Sequence, residues 1–123
     1  VMREYYRPQD ILAMIEDQVI DIVPLSMMRG RTFKNSWIIA DEMQSATPAQ
    51  GKMLLTRIGT NSKIVITGDA DQSDIKHGNN ALVDLCERLQ KGGGVKGIVV
   101  CPLENRDVQR HPIISKILEI YKD

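Results

Sequence analysis

Two short apolar runs, each breaking straight into carboxylates, constrain this chain more than any other feature. Trp37-Ile38-Ile39-Ala40 runs into Asp41-Glu42-Met43-Gln44, and Lys63-Ile64-Val65-Ile66-Thr67 runs into Gly68-Asp69-Ala70-Asp71-Gln72. Runs this short and this rich in β-branched residues read as strands covered on both faces, the kind found in parallel sheets. Between them, Thr47-Pro48-Ala49-Gln50 has the pattern of a capping box, with Thr as N-cap, Pro at the first helical position and Gln at the third. Met53, Leu54, Arg57 and Ile58 continue that helix, and Gly59 suits a left-handed C-cap. Strand, helix and strand in this order make a βαβ unit.

The flanking segments extend the alternation. Pro8 and Asp10 open a helix reaching Gln18, with Ile11, Leu12, Ile15 and Val19 on one face. IDIVPL (20–25) alternates as a strand does, and RGRTFKN (29–35) is a polar, basic connection. Residues 80–90 predict an amphipathic helix with Leu82, Leu85, Cys86 and Leu89 inward. KGGGVKG (91–97) then reads as a loop and GIVVC (97–101) as a third buried strand. Asp107 or His111-Pro112 starts a last helix, where Ile113, Ile114, Ile117, Leu118 and Tyr121 recur at helical spacing. The fold class is α/β, a parallel sheet with helices on both faces. No repeat and no Pro/Gly/Ser-rich linker divides residues 1–123, so one unit is expected.

Composition narrows the function. With 42% apolar and 26% charged residues the chain can fold around a core, and sixteen basic residues offset sixteen acidic ones. That balance excludes a generally basic nucleic-acid binder while leaving room for a local basic patch. One Trp and one Phe are too few for a base-stacking platform. Cys86 and Cys101 lack metal-ligand spacing and read as reduced core thiols, as in cytoplasmic proteins. His77 and His111 have no second and third ligand at metal spacing and read as polar loop residues. The longest apolar run is too short for a membrane span. The opening VMREYYRPQD carries charge and no apolar h-region, so no secretory leader is expected, and its first residue, Val, points to sequence upstream.

Ligands of parallel sheets bind beyond the carboxyl ends of the strands, which directs attention to the two carboxylate segments. Apolar residues followed by Asp-Glu form the Walker B arrangement of phosphate-loop NTPases. A buried strand fixes Asp41 where it can hold magnesium, usually through a water, and Glu42 beside it can orient or deprotonate an attacking water. Gly68-Asp69-x-x-Gln72 at the neighbouring strand end is the pattern of helicase motif III, whose amide reads the γ-phosphate. Either pattern alone also fits a plain turn. In this order, with a capped helix between, they carry more.

The stretch VPLSMMRGRTFKNSWIIADEMQSATPAQGKMLLTRIGTNSKIVITGDADQSDI resembles the second half of the PhoH-like ATPases, single-domain relatives of superfamily-one helicases. ENRDVQRHPIISKILEIY is similar to that family's C-terminal stretch, so the resemblance runs from about Val19 to Tyr121. The family usually shows DEAQN where this chain has DEMQS, which keeps both carboxylates and the Gln. The resemblance implies a RecA-like core and a cytoplasmic Mg-ATP hydrolase coupled to RNA or single-stranded DNA. In it Asp41 holds Mg2+; Glu42, Asp69 and Gln72 face the nucleotide; and Arg57 or Arg110 neutralises developing charge. Such an arginine would arrive in trans within a homo-oligomer. Arg29 and Arg31 become candidates for contact with a nucleic-acid backbone, although a solvated loop bracing nearby carboxylates explains them slightly better, since the wider chain is neutral.

One part of the expected machinery is absent from the sequence. Phosphate cradling needs G-x-x-x-x-G-K-[ST], and the glycine cluster at 92–97 has neither that spacing nor a following Ser or Thr. In the family the Walker A unit lies upstream of the matched region. The chain therefore reads as the Walker B and sensor half of an ATPase domain. Its rivals are a catalytically silent interaction or assembly module and one piece of a two-chain enzyme.

Overall fold

The computed structural model describes residues 1–72, 80–104, 107 and 112–120. Helix α1 (Pro8–Glu16) is followed by strand β1 (Trp37–Ala40), helix α2 (Pro48–Leu55), strand β2 (Lys63–Ile66), helix α3 (Ala81–Lys91) and helix α4 (Pro112–Ile120). The class is α/β, as the sequence implies. Strands β1 and β2 pair in parallel, Trp37 opposite Lys63 and Ala40 opposite Ile66. The ladder continues past both ends. Lys63 N–H donates to Ser36 O and Thr67 N–H to Ala40 O, each at 2.9 Å. Ahead of the strands, Phe33 and Ile58 form an isolated parallel bridge.

Helix α2 has the expected capping box. Gln50 N–H donates to Thr47 Oγ1 at 3.3 Å, and Thr47 N–H donates back to Gln50 Oε1 at 2.8 Å. The helix stops at Leu55, however, with Thr56 as its cap at φ −79°. Gly59 is therefore no left-handed C-cap. It is small for another reason: a Cβ at this position would lie 2.5 Å from Phe33 O, which accepts the Gly59 N–H at 2.7 Å.

The core lies between the sheet and the α2–α3 pair. Leu54 is 1% exposed and clusters with Met28, Met43, Ala46 and Ala81, while Ile38, Ala40, Ile64 and Ile66 pack on it from one face of the sheet. Helices α2 and α3 touch at Gly51, where an added Cβ would come within 2.8 Å of Ala81 Cβ. Helix α3 is N-capped by the buried Asn80, whose Oδ1 accepts from Val83 N–H at 2.9 Å. Its Leu82, Leu85, Cys86 and Leu89 are half-buried, in keeping with the amphipathic pattern.

Several expectations are corrected. Among the described residues the sheet is covered on one face only, not by helices on both: Trp37 is 72% and Ile39 74% exposed, and Val65 shares that open side. Lys63 lies over the Trp37 ring, 5.2 Å from its centroid. Residues 20–25 form no strand and lead into a 3₁₀ turn, Leu25–Met27. Pro24 has no N–H to give a ladder. Residues 97–101 form no strand either, leaving Val99 82% exposed and Cys101 at the surface, while Cys86 is half-buried. A parallel strand needs a neighbouring strand for its N–H and C=O groups; among the described residues none pairs with this segment, and the Ile98 N–H instead turns back to Val95 O at 3.0 Å. Helix α1 ends at Glu16, two residues early, where Gln18 turns to φ 57°, and its apolar Leu12 and Ile15 stay exposed. Tyr121 lies outside the described residues. None of the described helices is long and apolar enough to cross a membrane.

This one-sided core sets an expected contrast. Leu54→Ala should cost about 2–5 kcal/mol through the cavity it leaves, whereas Ile39→Thr on the open face should stay within roughly 0.5 kcal/mol of the parent. Urea unfolding of both variants measures it.

Candidate active site at the carboxyl ends of the strands

Parallel pairing with Ala40 beside Ile66 brings the residues after each strand side by side. Asp41 leaves β1 next to Thr67, whose hydroxyl donates to Asp41 Oδ1. The same oxygen accepts the Glu42 N–H at 3.0 Å. Glu42 then takes a left-handed backbone, φ 55° and ψ 36°, a conformation that costs a non-glycine residue on the order of 1 kcal/mol. The reversal starts the 3₁₀ turn Met43–Ser45 and tucks Met43 and Gln44 into the interior. Met43 N–H donates to Thr67 O at 3.0 Å, closing this turn onto the second strand end.

The second strand end joins through side chains. Gln44 Nε2 donates to Glu42 Oε2 at 2.6 Å, and Gln44 Oε1 accepts the Asp69 N–H at 3.1 Å. Gln72 Nε2 donates to Asp69 Oδ2 at 2.8 Å from the turn Ala70–Gln72. Gly68 permits this approach: a Cβ there would meet Gln44 Oε1 at 2.5 Å and Leu82 Cδ2 at 3.1 Å. Asp41, Glu42, Asp69 and Gln72, all exposed to solvent, thus belong to one connected hydrogen-bonded set.

This donor set fits a cation delivered by its ligand rather than a closed metal cage. Among the described residues no three His, Cys, Asp or Glu side chains converge. Asp41 commits Oδ1 to protein donors, and Oδ2 accepts no hydrogen bond from the described residues. Magnesium held mostly by phosphates and waters asks for one such carboxylate.

Among the described residues, the candidate arginines are not part of the set. Arg57 sits on the α2–β2 connection, its carbonyl accepting the Phe33 N–H at 2.9 Å, at the amino ends of the strands. Its Nε is buried and finds no hydrogen-bond partner among the described residues. Arg31 is held within the chain, ion-paired to Asp21 at 2.6 Å and placed over the Phe33 ring. Arg29 is exposed. Arg110, with His77 and His111, lies outside the described residues. The glycine cluster follows α3 as a turn, with Gly93, Gly94 and Gly97 at positive φ, and opens no helix.

Comparison with known proteins agrees with the strand-end pattern. The family described as PhoH-like protein matches residues 1–122. The chain belongs to the PhoH-like family. A PhoH-like protein of Synechocystis is 40% identical over 119 residues, covering 97% of this chain and 36% of its own length. A PhoH-like protein of Bacillus subtilis is 44% identical over 108 residues, 88% of this chain and 33% of its own. Protein PhoH of Escherichia coli K12 is 40% identical over 103 residues, 83% of this chain and 28% of its own. The chain thus spans about a third of the length of the curated relatives it matches.

At this candidate site Thr67 was not foreseen, while Gly68 and Gln44 were expected only as members of their motifs. Thr67 reads as a strand residue, Gly68 as a turn former, and Gln44 as part of a polar segment. The available signal was Gln44, a polar residue two positions after Glu42 whose length suits bridging. Thr67→Val should remove Asp41's hydroxyl partner and cost about 1–2 kcal/mol, while Thr67→Ser should keep most of it. Chemical denaturation of the pair checks this.

Proposed function

We propose that this chain supplies the Walker B and sensor half of a RecA-like, Mg-dependent ATP hydrolase coupled to RNA or single-stranded DNA. The observation carrying this reading is the joining of Asp41-Glu42 and Asp69-x-x-Gln72 at adjacent strand ends, in a chain of the PhoH-like family. Asp41, through a water, would hold Mg2+, which when bound neutralises charge on the phosphates. Glu42 orients the attacking water and takes its proton. Asp69 and Gln72 face the nucleotide, and the Gln72 amide, donor and acceptor at once, reads the terminal phosphate. A Walker A unit outside these residues grips the phosphates.

Arg57 or Arg110 serves in trans in this reading, supplied to a neighbouring subunit of a cytoplasmic homo-oligomer. The position of Arg57, away from its own carboxylate cluster, supports that arrangement. Arg29 and Arg31 offer the backbone contacts to nucleic acid, Arg29 more readily because Arg31 is engaged by Asp21. The expected outcome is that Glu42→Gln in the complete protein abolishes ATP hydrolysis while ATP binding persists. Unchanged turnover removes the assignment.

A second reading is favoured by the glycine cluster, which turns after a helix and opens none. The chain by itself would then be a catalytically silent interaction module. Calorimetry of Mg-ATP against residues 1–123 separates the two: no heat is expected of a silent module, and micromolar binding excludes it.

A further inference from the structure

We infer that Gln44 is a positioning residue that holds the Glu42 carboxylate and ties it to the Gly68-Asp69 loop. The catalytic consequence rests on the hydrolysis reading above; the link itself rests on geometry. Gln44 is 2% exposed, so its amide must be satisfied by protein. It donates from Nε2 to Glu42 Oε2 at 2.6 Å and accepts at Oε1 from Asp69 N–H at 3.1 Å. Those neighbours make opposite demands. A carboxylate requires a donor and a backbone N–H an acceptor, which an amide side chain meets at one terminus. A carboxylate at position 44 would repel Glu42, and an aliphatic side chain would leave the Asp69 N–H without this acceptor.

Two further features converge on the same atom. Gly68 leaves the space that Gln44 Oε1 fills, since a Cβ would lie 2.5 Å from it. Glu42 itself occupies a left-handed backbone, which persists only where surrounding contacts hold it. Beyond Asp69 the run reaches Gln72 through the 2.8 Å bond to Asp69 Oδ2. A displacement of the Gln72 turn is therefore passed to the carboxylate that orients water. Misplacement of a reacting group by about 1 Å can cost on the order of a hundredfold in rate, so a rigid strut has a kinetic purpose.

The link is tested first by folding, on residues 1–123. Q44E keeps an acceptor for Asp69 N–H but sets two carboxylates face to face, and should lower Tm by roughly 4–8 °C. The pair E42Q/Q44E restores a donor and an acceptor with their positions exchanged, and should recover most of that loss. Additive effects of the two substitutions overturn the link. Gly68→Ala tests it from the other side and also serves if Q44E fails to fold, because it presses on Gln44 while removing no donor or acceptor. In the complete protein it should lower kcat about tenfold with KM for ATP changed less than about twofold; full turnover overturns the positioning role. An unsubstituted protein that hydrolyses no ATP counts against the function proposed above, and the folding cycle still decides the link.

Discussion

The parallel pairing of β1 with β2 is the constraint on which everything else depends. It joins residues 26 positions apart in sequence, and the register of Ala40 with Ile66 makes Asp41 a neighbour of Thr67. A slip by one residue would turn every strand side chain to the other face. It would also separate the Asp41–Thr67 and Gln44–Asp69 contacts together. The pairing is short, so it needs support at both ends. The Phe33–Ile58 bridge supplies it at one end and the Met43–Thr67 bond at the other.

Helices α2 and α3 hold that pairing from one side. Thr47 and Gln50 fix where α2 begins, and Gly51 lets α3 approach to the distance at which only a hydrogen fits. The Ala81 N–H then reaches back to Ala46 O at 2.8 Å, beside the turn that carries Gln44. Packing and chemistry are therefore not separable here. The turn that buries Met43 in the core is the one that aims Glu42 outward.

What the residues disclosed and what they hid divide along physical lines. The strands at 37–40 and 63–66 and the capped helix were legible because their determinants are local: β-branched runs, a reciprocal Thr-Gln cap, an N-terminal Pro. The strand expected at 97–101 was not, because a strand is a relation between two segments and Val99 carries no mark of its partner. Pro24 was the overlooked sign against a strand at 20–25. Cys101 looked internal for the same reason as Val99. Asp41, Glu42, Asp69 and Gln72 were legible as a pattern, and the structure gathers them. The role of Gln44 was hidden because its burial is decided by Gly68 and Asp69, far along the chain, and the placing of Arg57 at the amino ends of the strands was hidden because sequence does not say at which end of a sheet a connection lies.

Trp37 gives this arrangement an unplanned use. It is the chain's one tryptophan, standing 72% exposed on the uncovered side of the sheet with the Lys63 ammonium over its ring. Whatever comes to rest on that side must strip water from the indole and displace or trap the lysine. The protein thus carries its own fluorophore on this open apolar face, and the colour of its emission reads out docking there without any label.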